Sequence, residues 1–399
     1  MSLSGKVNVA LLSLNQCLYM TSAVTMLSFA GLVGHMLAAN KNLSTLPVSL
    51  VMVGAASMTI PASFLMRRFG RRAGFMVGIC CSILSGALGA SAIWHHDFQL
   101  FCFAALFQGV YQAFAQYYRF AAIDVSNIDF RARAVSYVLG GGIGAALIAP
   151  TLARWSNLYF EPATFMGAYI LISVLGVIGL IPISFLKVPP LEESHLAGPQ
   201  RPISVIIRQP IFICAAVNAA AGYALMSFMM TAAPLAIVAC GLLPTDASHV
   251  IQWHVLGMFL PSLFAGRLLQ LFGTIRLLFA GALLFFLSAV AGFSGQSIVH
   301  FGVALVFLGI AWNFLFLGAT TLLAEAYEPA EKAKIQGINE FLVFSTTATA
   351  SLSAGVILNL YGWQTLNVLL LAILSFAVAT TIWYALSCRK DHLKAKGIA

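Results

Sequence analysis

Long apolar stretches with short polar punctuation make up almost the whole chain. Blocks of about 20 to 30 residues recur at about 8–37, 46–66, 73–94, 99–122, 134–155, 163–186, 211–239, 247–268, 277–295, 299–324, 337–360 and 365–387. Each can cross the roughly 30 Å hydrocarbon core of a bilayer as a helix. None shows the period-two alternation of a β-barrel strand. The pattern predicts an all-α membrane protein with twelve transmembrane helices. The first block follows Lys6 and continues to Leu37 without a small-residue cleavage site, so it is read as a span and not as a signal peptide.

Composition sharpens this reading. Of 399 residues 60% are apolar and 8% charged, against about 25% charged in a soluble domain. A net charge of +9 would suggest nucleic acid for a soluble protein, but here Lys and Arg belong in loops, because hydrocarbon excludes them. The predicted spans put 19 of the 21 basic residues on one face, with Lys41 and Arg154 opposite. The positive-inside rule then places both termini in the cytoplasm. Seven cysteines show neither a CxxC pair nor a zinc spacing, so no disulfide framework is expected.

The polar stretch 187–208 carries four prolines and the pair Glu192 and Glu193 between spans six and seven. It reads as a cytoplasmic linker between an N-terminal six-helix half, 1–186, and a C-terminal one, 209–399. The halves repeat. DVSNIDFRAR from Asp124 aligns with EAYEPAEKAK from Glu325 at an offset of 201, and the segment around Gly70 aligns with that around Gly273 at an offset of 203. Two landmarks agree on one repeat.

The segment Arg68, Phe69, Gly70, Arg71, Arg72 resembles the loop signature of the major facilitator superfamily, although Arg67, and Gln270 in the second half, stand where the family places an acid. The resemblance implies two six-helix halves that alternate access to a site between them near mid-membrane.

The spans carry no carboxylate at mid-depth, so candidate chemistry is neutral. Met226 and Met230 stack four apart in span seven; His254 and Met258 do so in span eight. Counted from the turn at Pro244, at 1.5 Å per residue, Met230 and His254 differ in depth by about 6 Å, as do Met226 and Met258. Thioether and imidazole suit Cu(I) and poorly suit Mg²⁺ or Ca²⁺. Methionine also fills gaps in apolar packing, and that reading stands beside the metal one.

M-x-x-x-M in span seven and H-x-x-x-M in span eight resemble the metal motifs of CcoA-like bacterial copper importers. The resemblance implies an inner-membrane copper importer supplying cytochrome oxidase assembly, with Met226, Met230, His254 and Met258 as ligands. Copper would then be cargo, with no tightly bound cofactor, and a copper-accepting protein would be a partner of the monomer in the bilayer. Relatives of that group have been described as riboflavin transporters, so import of an organic solute is the alternative.

Gln108, Tyr111, Gln112 and Gln116 form a polar stripe on span four, and Asn218 precedes Met226 by eight residues; all are candidates to line a cavity. Asp124, Arg131, Arg133, Glu325, Lys332 and Lys334 are candidates for a cytoplasmic gate. No nucleophile–base pair or cofactor loop points to an enzyme, and nothing supports nucleic-acid binding.

Overall fold

The computed structural model describes residues 3–127, 130–157, 160, 163–188 and 201–395. The helices are α1 (Leu3–Leu37), α2 (Leu46–Phe69), α3 (Arg71–His95), α4 (Phe98–Ala115), α5 (Tyr118–Asp124), α6 (Arg131–Asn157), α7 (Met166–Ser184), α8 (Ile203–Ile206), α9 (Pro210–Ala239), α10 (Pro244–Phe259), α11 (Ala265–Phe272), α12 (Thr274–Ser294), α13 (Ile298–Glu325) and α14 (Lys332–Ala395). Among the described residues there is no strand. A backbone in hydrocarbon must satisfy its own hydrogen bonds, and helices do so locally.

Three irregularities reconcile these helices with twelve spans. Span four breaks between α4 and α5 at Gln116 and Tyr117. Span eight is α10 and α11 joined by a 3-10 turn at Leu260–Phe264, which contains Pro261, a residue lacking an amide donor. Spans eleven and twelve meet at Gly362, whose φ of 75° bends α14 where a side chain would be strained. Large side chains such as Phe64, Phe103, Leu283 and Phe376 are exposed on the outside, as a lipid-facing surface requires.

The repeat is visible in atomic detail. Gly70 and Gly273 end helices with nearly the same backbone, φ 85° and 71°. Ser85 Oγ donates to Ala104 O at 2.7 Å, tying α3 to α4, and Ser288 Oγ donates to Ala304 O at 2.7 Å, tying α12 to α13. A methyl group on Gly109 would collide with Val51 O and approach Ala55 N; one on Gly309 would collide with His254 O and approach Met258 N. Gly54 and Gly257 face the carbonyls of Leu106 and Val306 in return. Both halves thus use reciprocal glycines to bring two helix backbones into contact, the usual device where lipid offers no hydrophobic driving force. Gly141 does the same between α6 and α1, against Ser13 O and Cys17 N.

Apolar clusters largely follow the halves. One is built from Ile206 to Leu374 and another from Val9 to Leu186. Among the described residues, three hydrogen bonds join the halves toward the end opposite the termini. Thr45 Oγ1 donates to Leu352 O at 3.2 Å, Asn359 Nδ2 to Asn42 Oδ1 at 2.8 Å and Gln252 Nε2 to Leu147 O at 3.5 Å. Val24, Ala146 and Ala149 of one half share a cluster with Met230, Ile251 and Val255 of the other.

Gly109→Val and Gly309→Val are each expected to destabilise the folded protein by about 1–3 kcal/mol, since the obstructing atoms are backbone. Thermal unfolding in detergent measures it; unchanged melting of both variants contradicts the glycine-contact account.

Candidate functional site

The helix faces that meet at mid-depth are aromatic. Trp312 and Phe316, one turn apart on α13, lie with ring planes 4° apart and centroids 5.1 Å apart. Tyr223 of α9 meets both edge-on, at 5.1 and 5.8 Å, and Phe259 of α10 meets Trp312 at 6.3 Å. Phe259 also reaches the first half, where its ring lies 3.1 Å from the position of a methyl group on Gly142. In the first half Tyr19 of α1 and Tyr111 of α4 cross edge-to-face at 5.3 Å. Tyr19 and Tyr223 lie within electrostatic reach of one another across the boundary between halves.

Polar groups around these rings are uncommitted. Gln108 is buried with neither amide atom hydrogen-bonded, and the buried Trp312 Nε1 has no acceptor. A buried donor or acceptor left unpaired costs about 1–3 kcal/mol. The rings pack on one another, and aromatic faces beside unpaired buried donors and acceptors are the kinds of group that a planar amphipathic solute would need.

Residues expected from the sequence fall differently. Gln108 and Tyr111 are buried, while Gln112 and Gln116 are half-buried near the break in span four. Asn218, expected to line a cavity, is buried with its amide engaged by protein partners. Its Nδ2 donates to Cys214 O at 2.9 Å and to Thr381 Oγ1 at 3.0 Å, and Thr381 Oγ1 donates to its Oδ1 at 3.3 Å, so its amide joins α9 to α14.

The four soft donors are divided among different contacts. His254 is fully buried and its ring turns toward α13, with Nδ1 2.7 Å from Leu305 O and Nε2 unpartnered. Met258 belongs to the apolar core of the second half, and Met230 to the cluster that seals α1 and α6 against α10. Met226 is half-buried beside both clusters. Among the described residues no three His, Cys, Asp or Glu side chains gather as a metal site would need. A site of thioethers around one imidazole rests on spacing.

The expected gate residues are also redistributed. Asp124 pairs with Arg71, Nε to Oδ2 at 2.6 Å, within the first half. The repeat puts Thr274 where Arg71 stands, and Glu325 is left exposed beside a cavity of about 330 Å³ shared with Arg276 and Tyr384. Arg133 and Lys334 are exposed. The side chains of Arg131 and Lys332 lie outside the described residues.

An unforeseen pair sits nearby. Arg201 grips the buried Glu331 by Nε to Oε1 at 2.9 Å, Nη2 to Oε2 at 2.7 Å and its own backbone N–H to Oε1 at 2.7 Å. Sequence reasoning also passed over Trp312, Phe316 and Tyr223. A W-x-x-x-F spacing in span ten was the available signal.

Two repeat-related units of long apolar helices define a multi-pass membrane protein. The match to the Major Facilitator Superfamily covers residues 12–242 and 225–397, and the chain belongs to that family. It is 39% identical over 396 residues to the riboflavin transporter RfnT of Brucella anthropi, covering 98% of this chain and 97% of the relative. It is 25% identical over 367 residues to YddS of Bacillus subtilis, an uncharacterised transporter of the superfamily, covering 86% and 83% of the two chains. Among solved structures, a bacterial homologue of the human lysosomal transporter Spinster superposes with a TM-score of 0.67 at 15% identity, over 98% of this chain and 99% of that one.

The Arg201 clamp and backbone hydrogen bonds hold the Glu331 carboxyl down at about 2, from an ordinary value near 4.5. A carboxyl depressed on folding stabilises fully above its unfolded value and loses that contribution as pH falls toward the folded one. Limited proteolysis of the 326–331 loop is therefore expected to rise between about pH 4.5 and pH 2, and in Glu331→Gln to be already high at neutral pH. Equal cutting of variant and parent at pH 7 contradicts the clamp.

Proposed function

We propose that the protein carries a planar, amphipathic organic solute of the riboflavin class across the bacterial cytoplasmic membrane by alternating access. The observation that carries this is the Trp312–Phe316 stack flanked by Tyr223 and Phe259, in a chain 39% identical to a riboflavin transporter. An isoalloxazine ring offers flat faces for such aromatic walls and a polar edge for an idle Gln108 amide and indole N–H. In this reading the six-helix halves 1–186 and 209–399 rock about the site, and the 187–208 segment joins them with both termini in the cytoplasm.

A copper reading keeps one supporting observation. His254 has Nδ1 held by the Leu305 carbonyl while Nε2 is buried without a partner, the arrangement by which a hydrogen bond to one ring nitrogen orients an imidazole that ligates through the other. Copper would be cargo there, with Met258 as the neighbouring donor. The thioethers of Met226 and Met230 would have to join it from span seven.

Uptake into proteoliposomes separates the two. Riboflavin accumulation is expected to be saturable, insensitive to a copper chelator, reduced at least tenfold by Trp312→Ala and changed less than twofold by Met258→Leu. Accumulation of ⁶⁴Cu that is lost in Met258→Leu, without riboflavin uptake, overturns the organic-solute reading.

A further inference from the structure

Two charges of opposite sign lie below the aromatic rings. Tyr223, which meets Trp312 and Phe316 edge-on, packs against Val343 of α14, and Glu340 stands one helical turn before Val343. Tyr223 is within electrostatic reach of Glu340 and of Arg119 in α5, and Tyr117 is within reach of the same two groups. Depth follows from helix rise counted from the terminus-bearing end. Arg119 precedes Asp124 by five residues and Glu340 follows Lys332 by eight, which puts both about 8–12 Å in. Tyr223 follows Pro210 by 13 residues, and Trp312 and Phe316 precede Glu325 by 13 and nine, so the rings lie about 14–20 Å in.

Both charges are idle. Arg119 rests over the Phe120 ring at 4.9 Å, and its buried Nε has no hydrogen-bond partner. Among the described residues Glu340 accepts no hydrogen bond and joins no ion pair, the described pairs being Arg71–Asp124 and Arg201–Glu331. Arg119 and Glu340 are near enough to attract each other and are not in contact. Asn339, beside Glu340 in the chain, is buried with its Oδ1 unpartnered. Charges held away from bulk water without partners cost free energy. A bound group that bridges them recovers it.

We propose that Arg119 and Glu340 together hold the polyhydroxyl tail of the cargo and so set specificity for neutral flavins that carry one. The inference rests on the flavin reading above and concerns the part of the molecule that the rings do not touch. A hydroxyl both donates and accepts. One tail hydroxyl, or two neighbouring ones, accepts from the Arg119 guanidinium while donating to the Glu340 carboxylate, and hydrogen bonds to charged groups are the stronger kind. With the flat ring beside Tyr223, Trp312 and Phe316, a five-carbon tail extends about 6 Å farther. The two levels are roughly 7 Å apart, so the tail spans them. Charge selects against other tails. A terminal phosphate gains Arg119 but meets Glu340 as a like charge, and an ammonium group meets Arg119 in the same way. A ring without a tail leaves both charges as they were.

Fluorescence titration of the purified full chain with three probes tests this: riboflavin, lumiflavin, in which a methyl group replaces the tail, and riboflavin 5′-phosphate. The parent is expected to bind riboflavin at least about tenfold more tightly than either of the others. Arg119→Gln and Glu340→Gln are each expected to weaken riboflavin by about tenfold and to change lumiflavin by less than about twofold, which also shows that the variants remain folded. Glu340→Gln is expected to narrow the gap between riboflavin and its phosphate, and Arg119→Gln to widen it. Lumiflavin and riboflavin binding equally well to the parent overturns the tail site and leaves the ring reading intact. Variants that weaken both flavins alike overturn it too, since the loss is then not in the tail. A parent that binds none of the three probes overturns the flavin reading, and the tail site with it.

Discussion

Direct backbone contact between helices is the constraint on which the rest of this molecule depends. In hydrocarbon no apolar side chain gains by leaving lipid for another helix, so close packing and short polar contacts hold the spans together. Gly54 with Gly109, and Gly257 with Gly309, remove the side chains that would keep α2 from α4 and α10 from α13. Ser85 and Ser288 then fasten α3 to α4 and α12 to α13 through carbonyls. These crossings fix which helix faces remain for the cleft.

The same scaffold in two copies makes the differences between the copies informative. Val51 and Ala55 in the first half occupy the places of His254 and Met258 in the second, against equivalent glycines. The imidazole is thereby directed to α13 and bonded to Leu305 O. Arg71 and Asp124 form an ion pair in the first half, whereas the second half has Thr274 and an exposed Glu325, and turns instead to Arg201 and Glu331. Symmetry in backbone with asymmetry in side chains suits a carrier: two halves can rock alike while presenting unlike walls to one cargo.

Much of the architecture was legible in the chain because hydrocarbon length and charge exclusion leave few alternatives. The span positions, the turn at Pro244 and the Gly70 and Gly273 landmarks correspond to helix ends in the structure. The breaks at Gln116 and Pro261 were not anticipated, since apolar composition runs unbroken through them. Side-chain direction was the harder matter. Spacing places His254 and Met258 on one face, but which neighbour that face meets is set by Gly309, on a helix about 50 residues away in the chain. Asn218 likewise looks like a cavity residue until Thr381 is found beside it.

The central claim is that a flat solute stacks against Trp312 and Phe316 between the two halves. Flavin fluorescence is quenched when the ring stacks on an indole, so titration of riboflavin with the purified carrier measures that contact directly. The account predicts saturable quenching at one flavin per chain, lost when Trp312 is replaced by leucine while the protein still melts as before. Quenching that survives this replacement, or none in the parent protein, would contradict it.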